Sequence, residues 1–208
     1  MILYDFVLSA NCYKVRLLAS ILDIKYETQL VDYFPGKEHM TEEFLKLNPL
    51  GEIPVLIDDD VILTDVNAIL LYLVSKFADS DNWWPAKDPI LLGKIMQWLS
   101  FADKIGHYIS SARWHEMIGQ QTDISSKKKS IHQLLRVLED HLTIQEFMSL
   151  DWIVDQNVTL ADLACFPFVA LVEDGGVTNY QYPAIQRWMH RIADIPGYNE
   201  MPGINIKK

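Results

Sequence analysis

The stretch that most constrains the fold runs from Asn48 to Leu73, with the sequence NPLGEIPVLIDDDVILTDVNAILLYL. Pro54 heads an apolar run, and because proline cannot donate to a sheet ladder it belongs at the first residue of a strand or at a sheet edge. Three aspartates then separate two short apolar runs, which is the pattern of a β-hairpin. Thr64 or Asp65 can cap the helix that follows. The stretch therefore predicts a strand, a tight hairpin and a capped helix in succession.

The residues before this stretch complete a domain of strands and helices. Residues 2–6 and 26–31 are predicted strands, and Ser9 begins a predicted helix between them. A strand, helix and strand of this length close most naturally as a right-handed parallel unit. Thr41 opens a further short helix after a polar loop. The order β-α-β-α-β-β-α, with a proline heading the third strand, resembles a thioredoxin-type domain over residues 1–79.

The remainder of the chain is predicted to be helical. Residues 80–89 lack periodicity and contain two prolines, which is typical of a linker between domains. Within residues 90–208, apolar side chains recur at helical spacing along two long segments, as in helical bundles. Thr159 can cap the amide of Asp162, and Asp162 can reach back, which predicts a strong helix start. The predicted fold class is α/β plus all-α, a βαβαββα domain followed by a helical bundle.

Composition excludes several classes of partner. A net charge of -10 argues against binding to nucleic acid or to an anionic membrane surface, because both require clustered Lys and Arg. No uncharged apolar run reaches membrane-spanning length. Cys12 and Cys165 are the only cysteines and the chain starts without a secretion-type segment, so we expect a reduced, cytoplasmic protein. The six histidines show no metal-ligand spacing, so no metal is expected.

Candidate chemistry lies in the turn Ser9-Ala10-Asn11-Cys12 before the first helix. The Ser9 hydroxyl and nearby amides face the carboxyl ends of the strands, where they can lower the pKa of a bound thiol from about 8.5 toward neutrality. The alternative is that Ser9 and Asn11 only cap the helix. Ser9-x-x-Cys12 also matches a redox C-x-x-C motif that has serine in place of the attacking cysteine. Cys12 is therefore a candidate redox residue or, alternatively, a packed small side chain.

A second candidate site is the helix start at Asp65. Its backbone N–H groups and the positive end of the helix dipole suit a peptide that carries carboxylates. An ordinary ββα corner without a ligand is the alternative.

Three stretches resemble the cytosolic glutathione S-transferase family. They are NPLGEIPVL followed by the hairpin and DVNAIL, the capping box NVTLAD that begins at Asn157, and YPAIxxW from Tyr182 to Trp188. The resemblance spans nearly the whole chain and both domains. It implies a transferase that conjugates the thiolate of glutathione, its cosubstrate, to small hydrophobic electrophiles, as in detoxification. It also implies a homodimer.

The resemblance also implies roles for individual residues. The implied glutathione contacts are Ser9 and Asn11 at the sulfur, Lys37 and His39 toward the glycine carboxylate, Ile53 through its backbone, Pro54 in the cis form, and Asp65 with the Val66 amide at the γ-glutamyl end. The implied hydrophobic substrate pocket is lined by Tyr108, Arg113 and Trp114, for which packing on the helix surface is the alternative. A solvated loop histidine is likewise the alternative for His39.

Two departures from the family pattern are visible. Val66 stands where relatives usually have a serine whose hydroxyl binds the γ-glutamyl carboxylate, which predicts weaker binding. Glu52 stands where many relatives have a lysine. Two other functions therefore stay open. One is a glutathione-dependent disulfide reductase or peroxidase that shares the site, and the other is a non-catalytic module that binds or regulates other proteins.

Overall fold

A computed structural model describes residues 1–204 and residue 206. The helices and strands follow one another as β1 (Ile2–Asp5), α1 (Ala10–Ile21), β2 (Glu27–Leu30), α2 (Glu42–Leu47), β3 (Val55–Asp58), β4 (Val61–Leu63), α3 (Val66–Phe77), α4 (Pro89–Ile118), α5 (Ile124–Phe147), α6 (Leu160–Ala170) and α7 (Pro183–Ala193). Single 3-10 turns lie at Glu38–Met40 and Val172–Gly175. This order confirms the predicted fold class.

The chain divides into two compact units. The first contains residues 1–79 and 199–202, and the second contains residues 80–198 and the described residues from 203 onward. The Tyr13 hydroxyl donates a hydrogen bond to the Asn199 carbonyl oxygen at 2.6 Å. The segment 199–202 therefore packs as part of the first unit, which the sequence pattern did not predict.

The first unit is built on a four-stranded sheet with strand order β2-β1-β3-β4. β1 runs parallel to β2, while β3 is antiparallel to both β1 and β4. In the register, Tyr4 lies opposite Val55 and Leu56 lies opposite Leu63. The parallel β1-α1-β2 unit and the β3-β4 hairpin are the ones predicted from the sequence.

Local capping determines where the helices of this unit begin. Ser9 Oγ accepts a hydrogen bond from Cys12 N at 3.2 Å, and Thr41 Oγ1 accepts one from Phe44 N at 3.3 Å. Of the two residues predicted to cap α3, Asp65 does so and accepts from Ala68 N at 2.8 Å. Such caps each stabilise a helix by about 1 kcal/mol, since they satisfy an amide that has no partner within the helix.

The core of the first unit lies between the sheet and helices α1 and α3. Leu3 on β1, Leu17 on α1 and Leu70 on α3 are fully buried. Burying one such side chain contributes roughly 1.5–3 kcal/mol, so this layer anchors the two helix starts to the sheet.

The second unit is organised around α6, all of whose residues are buried. Thr159 and Asp162 form the predicted capping box at its start. Asp162 Oδ1 also accepts hydrogen bonds from Ile153 N at 3.0 Å and from Trp188 Nε1 at 2.9 Å. One buried carboxylate therefore ties the loop before α6 and helix α7 to the start of α6.

Helix α4 packs against both α6 and α5, and α4 and α5 carry the predicted apolar seams. Ile105 and Ile109 on α4 and Leu135 and Leu142 on α5 are fully buried. Glu139 on α5 accepts hydrogen bonds from the first amides of α7, at 2.9 Å each. A distant carboxylate thus caps α7, whose own N-cap residue makes no side-chain cap bond.

Candidate functional site

Four segments of the first unit leave the sheet at one edge. The parallel strands β1 and β2 both end there, and because β3 is antiparallel to β1, the residues before β3 arrive at the same edge. β4 is antiparallel to β3, so it ends there as well and leads into α3. We call this edge, with residues 6–12, 31–41, 48–54 and 64–67, the carboxyl edge. It contains every candidate glutathione residue.

The turn before α1 is held by Arg16. Its guanidinium pairs with the Asp5 carboxylate at the end of β1 and donates to the Val7 carbonyl oxygen at 2.9 Å. Both side chains of this ion pair are largely buried, so the geometry of the turn is fixed by a charge-assisted contact. Ser9 is thereby held at the start of α1. Arg16 was not predicted, because its role depends on a partner from another element.

Asn11 presents an unsatisfied acceptor in the first turn of α1. Its side-chain Oδ1 is buried and has no hydrogen-bond partner among the described residues. A buried polar atom without a partner costs about 1–3 kcal/mol. A ligand that donates to this oxygen would remove that cost. So would a ligand that accepts a hydrogen bond from Nδ2, if the side-chain amide is rotated by 180° so that Nδ2 takes the place of Oδ1.

Cys12 lies beneath this turn and is fully buried. Burial, with the nearby negative charge of Asp5 as the second cause, raises the pKa of its thiol to about 12, although contact with Ser9 opposes the shift. The thiol is therefore neutral near pH 7, whereas redox attack requires the thiolate. This environment supports the alternative that Cys12 is a packed small side chain.

The loop before β3 is organised by Asn48, which is 1% exposed. Its side chain donates to the Glu52 carbonyl oxygen at 2.8 Å and accepts from Leu50 N at 3.1 Å. Gly51 has φ of +64°, a conformation that glycine adopts at little cost. These contacts hold the backbone that leads into the Ile53–Pro54 peptide bond, which is cis.

The start of α3 presents backbone rather than side-chain donors. The Asp65 carboxylate is exposed, but it already accepts the hydrogen bond from Ala68 N. The Val66 side chain is only 7% exposed and packs into the unit. The amide of Val66 is the first of the helix and has no acceptor within it, because helical hydrogen bonds start further along the chain.

Lys37 and His39 flank the turn after β2. Lys37 is exposed and adopts a left-handed backbone with φ of +55°. His39 is 9% exposed, so it is not the solvated loop histidine of the alternative reading. Its ring stacks on Tyr33 with centroids 3.8 Å apart, and burial, followed by the charge of Lys37, lowers its pKa. Its Nδ1 is buried and has no hydrogen-bond partner among the described residues.

The three residues predicted to line a hydrophobic pocket lie on α4 in the second unit and do not share one face. Tyr108 lies beneath Lys127, whose ammonium is 5.1 Å from the ring centroid. Arg113, five residues on, is rotated by about 140° around the helix. It is 7% exposed and pairs with Asp174 at 3.3 Å. The guanidinium of Arg113 is thus engaged in an internal ion pair, and its place in the hydrophobic pocket stays a prediction. Trp114 is half-buried.

Residues 1–204 and 206 contain no group of three or more His, Cys, Asp or Glu side chains that could hold a metal ion. No described helix is both long enough and apolar enough to cross a membrane.

Two family models match the chain. Residues 1–75 match "Glutathione S-transferase, N-terminal domain", and residues 100–196 match "Glutathione S-transferase, C-terminal domain". Together they cover most of both units.

Individual relatives give the same result. Mouse glutathione S-transferase theta-2 is 31% identical over 169 residues, which are 77% of this chain and 67% of the relative. Glutathione S-transferase 2 of Anopheles gambiae is 27% identical over 191 residues, covering 91% of this chain and 88% of the relative. Among solved structures, a glutathione S-transferase from Pseudomonas fluorescens superposes with a TM-score of 0.86 at 30% identity, over 97% of this chain and 98% of that one.

Proposed function

Because the chain belongs to the glutathione S-transferase family, an enzyme family that binds glutathione, we propose that it transfers glutathione to small hydrophobic electrophiles and that the carboxyl edge is its glutathione site. The observation that carries this proposal is the convergence of all the candidate glutathione residues at one edge of the sheet. Residues 1–79 bind glutathione in this proposal, and residues 90–208 supply the electrophile pocket.

Ser9 and Asn11 stabilise the glutathione thiolate. Ser9 Oγ accepts a hydrogen bond from the Cys12 amide, and in this proposal its hydroxyl hydrogen donates to the glutathione sulfur. The Asn11 amide, which carries a buried atom without a partner, supplies the second contact. Both lie at the positive end of the α1 dipole, which favours an anion. The thiolate then attacks an electrophilic carbon, a C–S bond forms, and the leaving group departs with its electron pair.

The two ends of glutathione bind to the neighbouring segments of the carboxyl edge. The Val66 amide donates to the γ-glutamyl carboxylate, and the exposed Asp65 carboxylate faces the α-amino group. Ile53 pairs its backbone with the peptide. His39 and Lys37 bind the glycine carboxylate, for which a cation and an imidazole N–H are suitable donors.

A redox activity that uses Cys12 as a nucleophile is less well supported than the transferase. A reductase of the C-x-x-C type needs a reactive thiolate in the turn, but serine occupies the attacking position and burial raises the pKa of the Cys12 thiol to about 12. The proposed transferase needs no protein thiolate, because the nucleophile is the thiolate of glutathione.

The assembly and location of the protein are part of the proposal. A symmetric homodimer is the commonest closed assembly of soluble chains. Two free, buried cysteines without a disulfide suit a reducing compartment such as the cytoplasm. Tyr108 and Trp114 remain the candidates for contact with the electrophile.

The test compares Ser9→Ala with Ser75→Ala, a control at an exposed position of α3. Removing a hydrogen-bond donor to an anion costs roughly 1.5–3 kcal/mol, so Ser9→Ala should lower kcat/KM by about 10- to 150-fold. It should also raise the pKa of bound glutathione in a pH–rate profile with an aryl halide, while Ser75→Ala should match wild type.

Cys12→Ala distinguishes the proposed transferase from a redox mechanism that uses Cys12, because we expect it to retain most transferase activity. If Cys12→Ala abolished activity while Ser9→Ala did not, the redox mechanism would replace the proposed one. Wild-type protein that neither binds glutathione in calorimetry nor turns over any electrophile would be a non-catalytic module.

A further inference from the structure

The imidazole of His39 is held by one aromatic contact. Its ring lies nearly parallel to that of Tyr33, with centroids 3.8 Å apart and an angle of 12° between the planes. Nδ1 makes no hydrogen bond to any described residue. Stacking on Tyr33 therefore acts on the ring angle without a competing hydrogen bond at Nδ1.

Tyr33 makes further contacts within the first unit. It stacks on Phe6, with centroids 5.8 Å apart and an angle of 27°. It packs against the apolar cluster that contains Cys12 and Ile53. Its amide donates to the Val31 carbonyl oxygen at 2.8 Å. The ring of Tyr33 thus connects His39 to the residues beneath the proposed sulfur and backbone contacts of glutathione.

The backbone of the loop is closed by other residues. Asp32 N donates to Glu38 Oε2 at 2.8 Å, and Glu38 N donates to the Asp32 carbonyl oxygen at 2.9 Å. These bonds set the path of the chain up to His39. They do not set the rotamer of its side chain, because none of them involves the imidazole.

Gly51 approaches His39 from the loop before β3. A Cβ at this glycine would lie 3.2 Å from the His39 carbonyl oxygen and 2.8 Å from Met40 Sδ. The backbone of His39 is therefore confined by this close approach, while its ring is confined by Tyr33.

We propose that Tyr33 is a positioning residue that orients the His39 imidazole toward the glycine carboxylate of glutathione. This inference rests on the proposed function and deepens it, because it assigns a role to a residue that makes no proposed contact with the ligand. Tyr33 acts through the face of its ring, so its hydroxyl is dispensable for this role.

The test measures the affinity of the full-length protein for two ligands by titration calorimetry. Glutathione has the glycine carboxylate, and the dipeptide γ-glutamylcysteine lacks the glycine. Tyr33→Leu should weaken glutathione binding by about five- to tenfold, the size expected for loss of a well-packed aromatic pair. Binding of the dipeptide should change less than about twofold. Tyr33→Phe keeps the stacked ring and should bind both ligands like wild type.

A double-mutant cycle separates positioning from general destabilisation. His39→Ala should lose at least as much glutathione affinity as Tyr33→Leu, and the double variant should lose no more than about twofold beyond His39→Ala, because the two residues act as one unit. Tyr4→Leu is the matched control. It removes a tyrosine from the same cluster, where Tyr4 packs edge-on against Phe44 at 6.0 Å, and should leave both affinities unchanged.

The outcomes distinguish the inference from the function on which it rests. Absence of glutathione binding in wild type would refute the proposed function. With wild-type binding intact, the role of Tyr33 would be refuted by equal weakening of both ligands in Tyr33→Leu, by additive losses in the cycle, or by no loss at all.

Discussion

Gly106 on α4 allows the close approach of α4 and α6. A Cβ built at this position would lie 2.5 Å from Cε2 of Phe168 and 2.8 Å from both Cδ2 and Cζ. Carbon atoms in contact are normally about 3.5–4.0 Å apart, so the ring edge would have to move by about 1 Å. Phe168 is only 5% exposed and lies on α6, all of whose residues are buried. Gly106→Ala should therefore destabilise the second unit.

Gly93 on the same helix makes it possible to isolate the steric effect. A Cβ at Gly93 would meet no atom within 4 Å. Replacing glycine by alanine inside a helix stabilises it by about 1 kcal/mol at either position, because alanine loses less backbone entropy. Overpacking costs about 1–3 kcal/mol, and only Gly106→Ala has that cost. The two variants should thus differ by about 1–3 kcal/mol, the cost of overpacking, with Gly93→Ala the more stable.

Thermal and denaturant unfolding would measure this difference. For a protein of this size it corresponds to roughly 2–12 °C in Tm. Wild type should lie between the two variants. Equal melting of Gly93→Ala and Gly106→Ala would mean that α4 and α6 do not approach as closely as described, and the packing argument for the second unit would be wrong.

Three further predictions concern binding, charge and assembly. Val66→Ser should tighten glutathione binding by about tenfold in calorimetry, through a charge-assisted hydrogen bond to the γ-glutamyl carboxylate. It should cost on the order of 1 kcal/mol of stability, because the valine is only 7% exposed. Unchanged affinity would mean that the γ-glutamyl end does not bind at this helix start. A hydrogen bond from Lys76, followed in effect by one from Tyr72, lowers the pKa of the Asp58 carboxyl. Its contribution to stability is therefore present above the ordinary carboxyl pKa of about 3.9 and lost as pH falls through the lower folded pKa. The stability difference between wild type and Asp58→Asn should thus be constant from pH 5 to 7 and shrink below about pH 4; a difference that does not depend on pH would contradict the pairing. Light scattering should give about 48 kDa, twice the chain mass of 24.0 kDa, and a monomer mass at micromolar concentration would contradict the homodimer.

Signals within a few residues of one another were predictable from the sequence. The capping box of Thr159 and Asp162, the cap at Ser9 and the hairpin after Pro54 all formed as predicted. Each depends on the spacing of residues along the chain, because capping and turn geometry are set by local backbone dihedral angles. The same short stretches carry the resemblance to the glutathione S-transferase family, so the family was predictable as well.

Contacts between distant segments were decided only by the tertiary structure. The sequence left Thr64 and Asp65 open as caps of α3, and in the structure Asp65 accepts the capping hydrogen bond from Ala68 N. It also grouped Arg113 with Tyr108 and Trp114, but an ion pair to Asp174, 61 residues away, draws Arg113 into the interior of the second unit.

The stacking of Tyr33 on His39 has the same origin. The two residues are six positions apart along the chain, and a reciprocal pair of hydrogen bonds between Asp32 and Glu38 closes the loop that brings them together. Sequence by itself determined the family, the order of elements and the local starts of the helices, since these depend on neighbouring residues. The partners of His39 and Arg113 were decided by packing, because residue type alone does not specify which distant side chain will lie within a few ångströms.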